Sequence, residues 1–139
     1  MITADASALV KLVVNEKYSD IAKSIFNKET GNKEPIYAPD IALSEATSAL
    51  WKYYVLKKEL SSREYNTAIK NLLLIWDKLQ ILKTKDILQN ASSIAVRNKI
   101  AIYDSLYVAV SMRFGAPLLT FDRLLKERAI GMGVELVSY

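Results

Sequence analysis

The sequence predicts an α/β protein: a three-layer α/β/α sandwich around a short, mainly parallel central sheet. Three observations predict it. Short, wholly apolar runs alternate with longer segments whose apolar residues recur at helical spacing. Strands linked through helices pair in parallel, because a parallel pair needs a crossover longer than a hairpin. Strands covered on both faces read as unbroken apolar runs, as these do. The chain has 139 residues, 51% hydrophobic and 24% charged, which is a globular composition long enough for a single domain over residues 1–139.

The elements follow in order. Met1 to Ala4 reads as a buried strand ending at Asp5. Ser7 to Val14 carries Leu9, Val10, Leu12 and Val13 as a helical face, and Tyr18 to Lys28 does so with Ile21, Ala22, Ile25 and Phe26. Pro35 to Ala38 is a second strand. Pro39-Asp40 opens a long helix reaching about Lys58, with Asp40 as its candidate cap. Ser61 and Glu64 form a capping box for a helix striped by Tyr65, Ala68, Ile69, Leu72, Leu73, Trp76 and Leu79. Gln80 to Lys83 is a third strand and Asp86 to Asn98 a helix. Asp104 to Phe114 is helical and stops at Gly115, a natural residue for the left-handed end of a helix. Pro117 to Thr120 is a strand, Asp122 to Ile130 a helix, and Val134 to Val137 a closing strand.

Cysteine and histidine are both absent. That excludes a disulfide framework, a Cys/His zinc site, a cysteine nucleophile and a Ser-His-Asp triad. The first strand is followed by no G-x-G-x-x-G, so a dinucleotide domain is excluded too. Position 7 is Ser7, where a haloacid dehalogenase phosphatase needs a second Asp, and no acid ends the third strand, where a receiver domain needs one. Nineteen Lys and Arg against fifteen Asp and Glu give a net charge of +4, which suits an acidic partner such as nucleic acid or simply a solvated surface. The longest apolar runs, Leu72 to Trp76 and Leu106 to Val110, have five residues each, against about 20 for a membrane span. With no basic leader at Met1 to Asp5, the sequence predicts a soluble, cytoplasmic protein with no membrane partner.

Any polar chemistry must therefore come from carboxylates, hydroxyls, amides, Lys, Arg or Tyr. Asp5 and Asp122 each end a strand and start a helix, and parallel strands bring such ends to one edge of the sheet, where ligands of open α/β folds bind. Asp104 stands at a predicted helix start between apolar flanks. Each of these three is also a natural N-cap. Glu45 lies in the apolar stretch Ile41 to Ala46, where it either faces water beside Ser44, Thr47 and Ser48 or sits buried against a partner.

At these residues the sequence resembles a known family. Ile2-Thr3-Ala4-Asp5-Ala6-Ser7 with Leu9 to Leu12 is similar to the first motif of PIN-domain nucleases. Pro39-Asp40-Ile41-Ala42-Leu43-Ser44-Glu45-Ala46 resembles the second, Tyr103-Asp104-Ser105-Leu106-Tyr107-Val108-Ala109 the third, and Pro117-Leu118-Leu119-Thr120-Phe121-Asp122 the fourth. Gly133-Val134-Glu135-Leu136 is similar to the closing strand, and the short length resembles the VapC-like toxins of toxin–antitoxin pairs. The resemblance implies that Asp5, Glu45, Asp104 and Asp122 form an acidic site for Mg²⁺ or Mn²⁺, with Ser7 and Thr120 as supporting hydroxyls. It implies hydrolysis of RNA by an activated water, leaving a 5′-phosphate and a 3′-hydroxyl. It also implies a homodimer and a cognate VapB-like antitoxin, together a heterotetramer or larger.

Physical chemistry agrees with the donor set. Crowded carboxylates repel and partly protonate unless a cation neutralises them, and hard divalent ions prefer oxygen ligands. Lys11, Arg113 and Arg123 are the expected substrate-binding cations, with Lys126 and Arg128 nearby in sequence. Tyr53, Tyr54, Tyr103 and Tyr107 are candidate stacking aromatics, or core. The stripe from Tyr65 to Leu79 and the run Trp51 to Tyr54 serve either the core or a second chain. Two other readings stand beside the toxin: a stand-alone RNA-processing nuclease, and a PIN-like module that binds RNA or protein without cutting.

Overall fold

The computed structural model describes residues 1–139. Four parallel strands form one sheet: β1 (Ile2–Ala4), β2 (Ile36–Pro39), β3 (Gln80–Leu82) and β4 (Leu118–Leu119), in the order β3-β2-β1-β4. Seven helices connect and cover them: α1 (Ala6–Val13), α2 (Ser19–Gly31), α3 (Ile41–Trp51), α4 (Ser62–Trp76), α5 (Thr84–Asn98), α6 (Ile102–Phe114) and α7 (Arg123–Gly131). The three-layer α/β/α arrangement expected from the sequence is the one observed. No helix is long and apolar enough to cross a membrane.

The sheet separates two apolar clusters, and strand alternation divides β2 between them. Ile36 and Ala38 join the larger cluster with Leu9, Leu50, Leu72 and Val108, while Tyr37 packs on the smaller one of Ile87, Ala91, Leu106, Ala109 and Val110. The smaller cluster is the seam between α5 and α6. The Tyr37 and Phe114 rings stack beneath it, 4.0 Å apart and 5° from parallel.

Helix ends mostly match their sequence signals. Ser61 and Glu64 form the expected capping box, with Glu64 N–H donating to Ser61 Oγ at 3.1 Å and Ser61 N–H to Glu64 Oε1 at 3.0 Å. Gly115 ends α6 at φ 60°, in the left-handed region a glycine enters without a Cβ penalty.

Three expectations need correction. Asp40 makes no capping bond to α3; its carboxylate instead accepts from Thr84 N–H at 3.0 Å and Thr84 Oγ at 2.5 Å. It thus caps α5 from 44 residues away and ties the end of β2 to the end of β3. The long helix does not run on as α-helix to Lys58: Lys52–Leu56 form a π-helical turn, with Lys57 N–H reaching Lys52 C=O at 2.9 Å. The closing strand is a single parallel bridge, Leu118 to Leu136, held by Leu118 N–H to Glu135 C=O and Val137 N–H to Leu118 C=O. β4 is only two residues long, so its outer edge has no length for a longer ladder.

The Asp40–Thr84 link yields a stability prediction. Asp40→Ala leaves the first N–H of α5 without its partner and lowers unfolding free energy by about 1–2 kcal/mol, at least as much as Ser61→Ala at about 1 kcal/mol. Urea denaturation of the two variants checks this; an Asp40→Ala midpoint equal to wild type contradicts it.

Candidate active site

Asp5 is the first residue past β1, and Thr120 the first past β4. The two strands pair in register, Ala4 beside Leu119, and Asp5 N–H continues the ladder to Leu119 C=O at 3.2 Å. The carboxylate is 3% exposed and accepts three hydrogen bonds: Ser7 Oγ at 2.6 Å and Ala8 N–H at 2.9 Å on Oδ1, and Thr120 Oγ at 2.5 Å on Oδ2. Both hydroxyls are used twice. Ser7 Oγ accepts from Phe121 N–H at 2.7 Å, and Thr120 Oγ accepts from Asp122 N–H at 3.1 Å. Each hydroxyl gives its proton to Asp5 and its lone pair to the backbone entering α7, so its orientation is fixed.

Cap and site are not alternatives here. Asp5 caps α1 through Ala8 N–H, and Asp122 caps α7 through Leu125 N–H at 2.8 Å, yet both carboxylates line the same cleft. Asp104 is no cap: α6 begins two residues earlier, at Ile102, and Asp104 sits in its first turn, where the helix dipole favours a negative charge. Glu45 is half-buried on α3, where Tyr107 O–H donates to its Oε1 at 3.4 Å. These four acids line one cleft of about 470 Å³, with Ser7 and Tyr107 in its wall.

Their charges oppose one another. Burial pushes the Asp5 carboxyl up to about 6, only partly offset by its hydrogen bonds, and Asp122 pushes it further the same way. Burial also raises Glu45, against the Tyr107 hydrogen bond, and repulsion from Asp5 and Asp104 adds to it. Burial, and then the negative charge of Glu45, hold the Tyr107 phenol well above its ordinary value, so it keeps its proton and donates. Asp104 has a counter-charge, an ion pair with Arg128 of α7.

The donor set fits a hard divalent cation in kind, since every ligating atom it offers is a carboxylate oxygen. It does not form a closed cage: no three acidic side chains are drawn together at metal-holding distance.

The expected basic residues separate. Lys11 lines the cleft, with its Nζ on Glu16 Oε1 at 3.0 Å. Arg113 does not reach the cleft. It lies nine residues along α6 from Asp104, about 14 Å by helical rise, in a separate groove with Asn90 and Arg97. Arg123 is 92% exposed and pairs only loosely with Glu127 at 3.7 Å. Arg128 is committed to Asp104.

Sequence reading missed Glu16, which lines the cleft and accepts from Tyr53 O–H at 2.9 Å as well as from Lys11. It also missed Lys52 in the cleft wall. Glu16 sits just after α1 with no periodic signal around it, so only the fold reveals its place. Of the candidate aromatics, Tyr54 stacks on Tyr65 at 5.0 Å and Tyr107 is buried, whereas Phe121, which no local pattern singles out, lines the cleft.

Comparison with known proteins agrees with the fold and the motifs. Over 127 residues, 91% of this chain and 93% of the relative, the sequence is 28% identical to Ribonuclease VapC3 of Pyrobaculum aerophilum. The crystal structure of PAE2754 from Pyrobaculum aerophilum superposes with a TM-score of 0.65 at 23% identity, covering 91% of this chain and 78% of that one. Mycobacterium tuberculosis VapC20, described as a sarcin-ricin loop cleaving toxin, superposes with a TM-score of 0.69 at 18% identity over 100% of both chains. The PIN domain model matches residues 2–131, a span that contains all four acids and both supporting hydroxyls, and the chain belongs to the PIN domain family.

Proposed function

We propose that this chain, acting as one domain, is a ribonuclease that hydrolyses RNA phosphodiester bonds with Mg²⁺ or Mn²⁺ held by Asp5, Glu45, Asp104 and Asp122. The observation that carries the reading is electrostatic. Besides Glu16, which is paired with Lys11, four carboxylates share one cleft, and repulsion links Asp122 to Asp5, and Glu45 to both Asp5 and Asp104. Such an arrangement is costly unless a cation completes it. When bound, a divalent ion supplies positive charge for the phosphodiester and an activated water for in-line attack.

The chain's own residues have distinct tasks. Ser7 and Thr120 hold both Asp5 oxygens in place. Tyr107 orients Glu45, and Arg128 holds Asp104 against α7. Lys11, at the cleft, is placed to contact a substrate phosphate. The names of the relatives, Ribonuclease VapC3 and the VapC20 toxin, support a toxin that acts on RNA and pairs with a VapB-like antitoxin. Exposed Trp51 at the end of α3 and Leu56 just beyond it, with Leu73 and Leu74 on α4, offer apolar surface for that partner or for a second copy.

Two predictions test this reading. Asp5→Asn, which preserves the shape and an acceptor for Ser7 and Ala8, lowers RNA cleavage more than about 100-fold without unfolding the chain. Excess EDTA does the same to wild type. A gel assay on single-stranded RNA reads both; full cleavage by the variant or in EDTA contradicts the site.

The second concerns pH. The folded Asp5 carboxyl lies near 6 against an ordinary 3.8, so the folded state holds this proton more tightly than the unfolded chain. Its contribution to stability is full below about 3.8 and is lost as pH rises through about 6, a difference of about 3 kcal/mol. Metal-free protein therefore loses this stability between pH 4 and about pH 7. Mg²⁺ restores it, with a larger rise in Tm at pH 7.5 than near pH 5, since protons and cation compete for the same oxygens. Asp5→Asn flattens both trends. Calorimetry across that range checks it; a Mg²⁺ effect independent of pH contradicts it.

A further inference from the structure

Beside the acidic cleft lies a second feature that the cleavage chemistry does not use. Phe121, between Thr120 and Asp122, lines the cleft and is one of three clustered aromatic rings. Tyr18 stacks on it with centroids 5.9 Å apart and planes 21° from parallel, and Tyr139 lies 4.9 Å from Phe121 and 6.1 Å from Tyr18. Three lysines surround the cluster. Lys17 Nζ is 4.9 Å from the Tyr18 centroid, Lys126 Nζ is 4.4 Å from Tyr139 and 5.9 Å from Phe121, and Lys11 Nζ is 5.3 Å from Phe121. Of the three, only Lys11 has an ion-pair partner, Glu16.

Packing alone does not account for this cluster. Core aromatics are closed off from water, but Tyr18 is 43% exposed and Tyr139 47% exposed. Tyr18 also holds φ at 70°, a left-handed conformation that bulky residues rarely adopt. A glycine or asparagine suits that backbone better, so what tyrosine brings there is its ring. The exposed parts of the two tyrosine rings offer flat apolar surface, and Lys17 and Lys126 have no acidic partner, Lys126 Nζ donating only to the Tyr139 hydroxyl, so they attract anions. A nucleotide supplies both in one unit.

Resting on the ribonuclease reading above, we propose that Tyr18, Phe121 and Tyr139 form a stacking subsite for an unpaired nucleobase next to the scissile phosphate, with Lys17 and Lys126 on the flanking phosphates. The subsite deepens that reading by assigning the contact with one substrate base to these three rings. A base inside a duplex already has both faces stacked and cannot enter. Arginine–aromatic or lysine–aromatic platforms of this kind tolerate any base, because every base has a π face.

The test uses the full chain in EDTA, so that binding is measured without cleavage. The probes are a fluorescein-labelled single-stranded RNA of about 12 nucleotides and an otherwise identical RNA carrying abasic ribose throughout its middle. Wild type is expected to bind the base-bearing RNA about tenfold more tightly by fluorescence polarisation. Tyr18→Gly, whose backbone is at ease at this φ, is expected to stay folded by circular dichroism and to lose that preference. Lys17→Ala is expected to weaken both RNAs alike and to lower the salt slope by about 0.7. If wild type cleaves RNA with Mn²⁺ while Tyr18→Gly keeps the full preference, the subsite is overturned and the ribonuclease reading stands. If wild type neither binds nor cleaves either RNA, both are overturned.

Discussion

A buried carboxylate joins the two halves of this fold. Asp5 lies at the carboxyl end of β1, and its three hydrogen bonds come from α1 and from Thr120, the residue just past β4. The hydroxyls that reach it are themselves fixed by N–H groups entering α7. One side chain thus sets the start of two helices and the alignment of two parallel strands. The cost is a charge held out of water, and it is this that raises its pKa. The remaining acids are positioned relative to that point: Asp122 by α7, Glu45 by α3, and Asp104 by the first turn of α6.

This arrangement gives new meaning to the charge balance. Five of the fifteen acids and two of the nineteen Lys and Arg line one cleft, leaving seventeen basic residues against ten acids elsewhere, a balance of +7. An acidic centre within a basic exterior is what the proposed polyanionic substrate and cation would require. Arg128 already supplies one positive charge at Asp104. In the proposed reading a divalent ion would displace this long, flexible guanidinium, while the hydroxyl clamp on Asp5 would keep its place.

Much of this was legible from residue order. Apolar runs gave the four strands, and Asp5 and Asp122 stood at strand ends where parallel pairing had to bring them together. Contacts across long separations were not legible. Asp40 looked like the cap of its own helix, but the carboxylate turns to Thr84, because β2 and β3 are neighbours and their ends meet. Glu16 and Tyr53 meet across 37 residues with no pattern to announce them. The stacked rings at the cleft come from two chain regions more than a hundred residues apart, and no local spacing relates Tyr18 to Phe121. Periodicity reports which face of an element is buried, not which distant side chain it meets.

We propose the four acids as the site of a divalent cation. Crystals grown with Mn²⁺ test it most directly, through anomalous diffraction at the manganese edge. An anomalous peak is expected among the carboxylates of Asp5, Glu45, Asp104 and Asp122, with the Arg128 guanidinium drawn off Asp104. A map with no peak in that cleft at saturating Mn²⁺, and the Arg128–Asp104 ion pair intact, would contradict it.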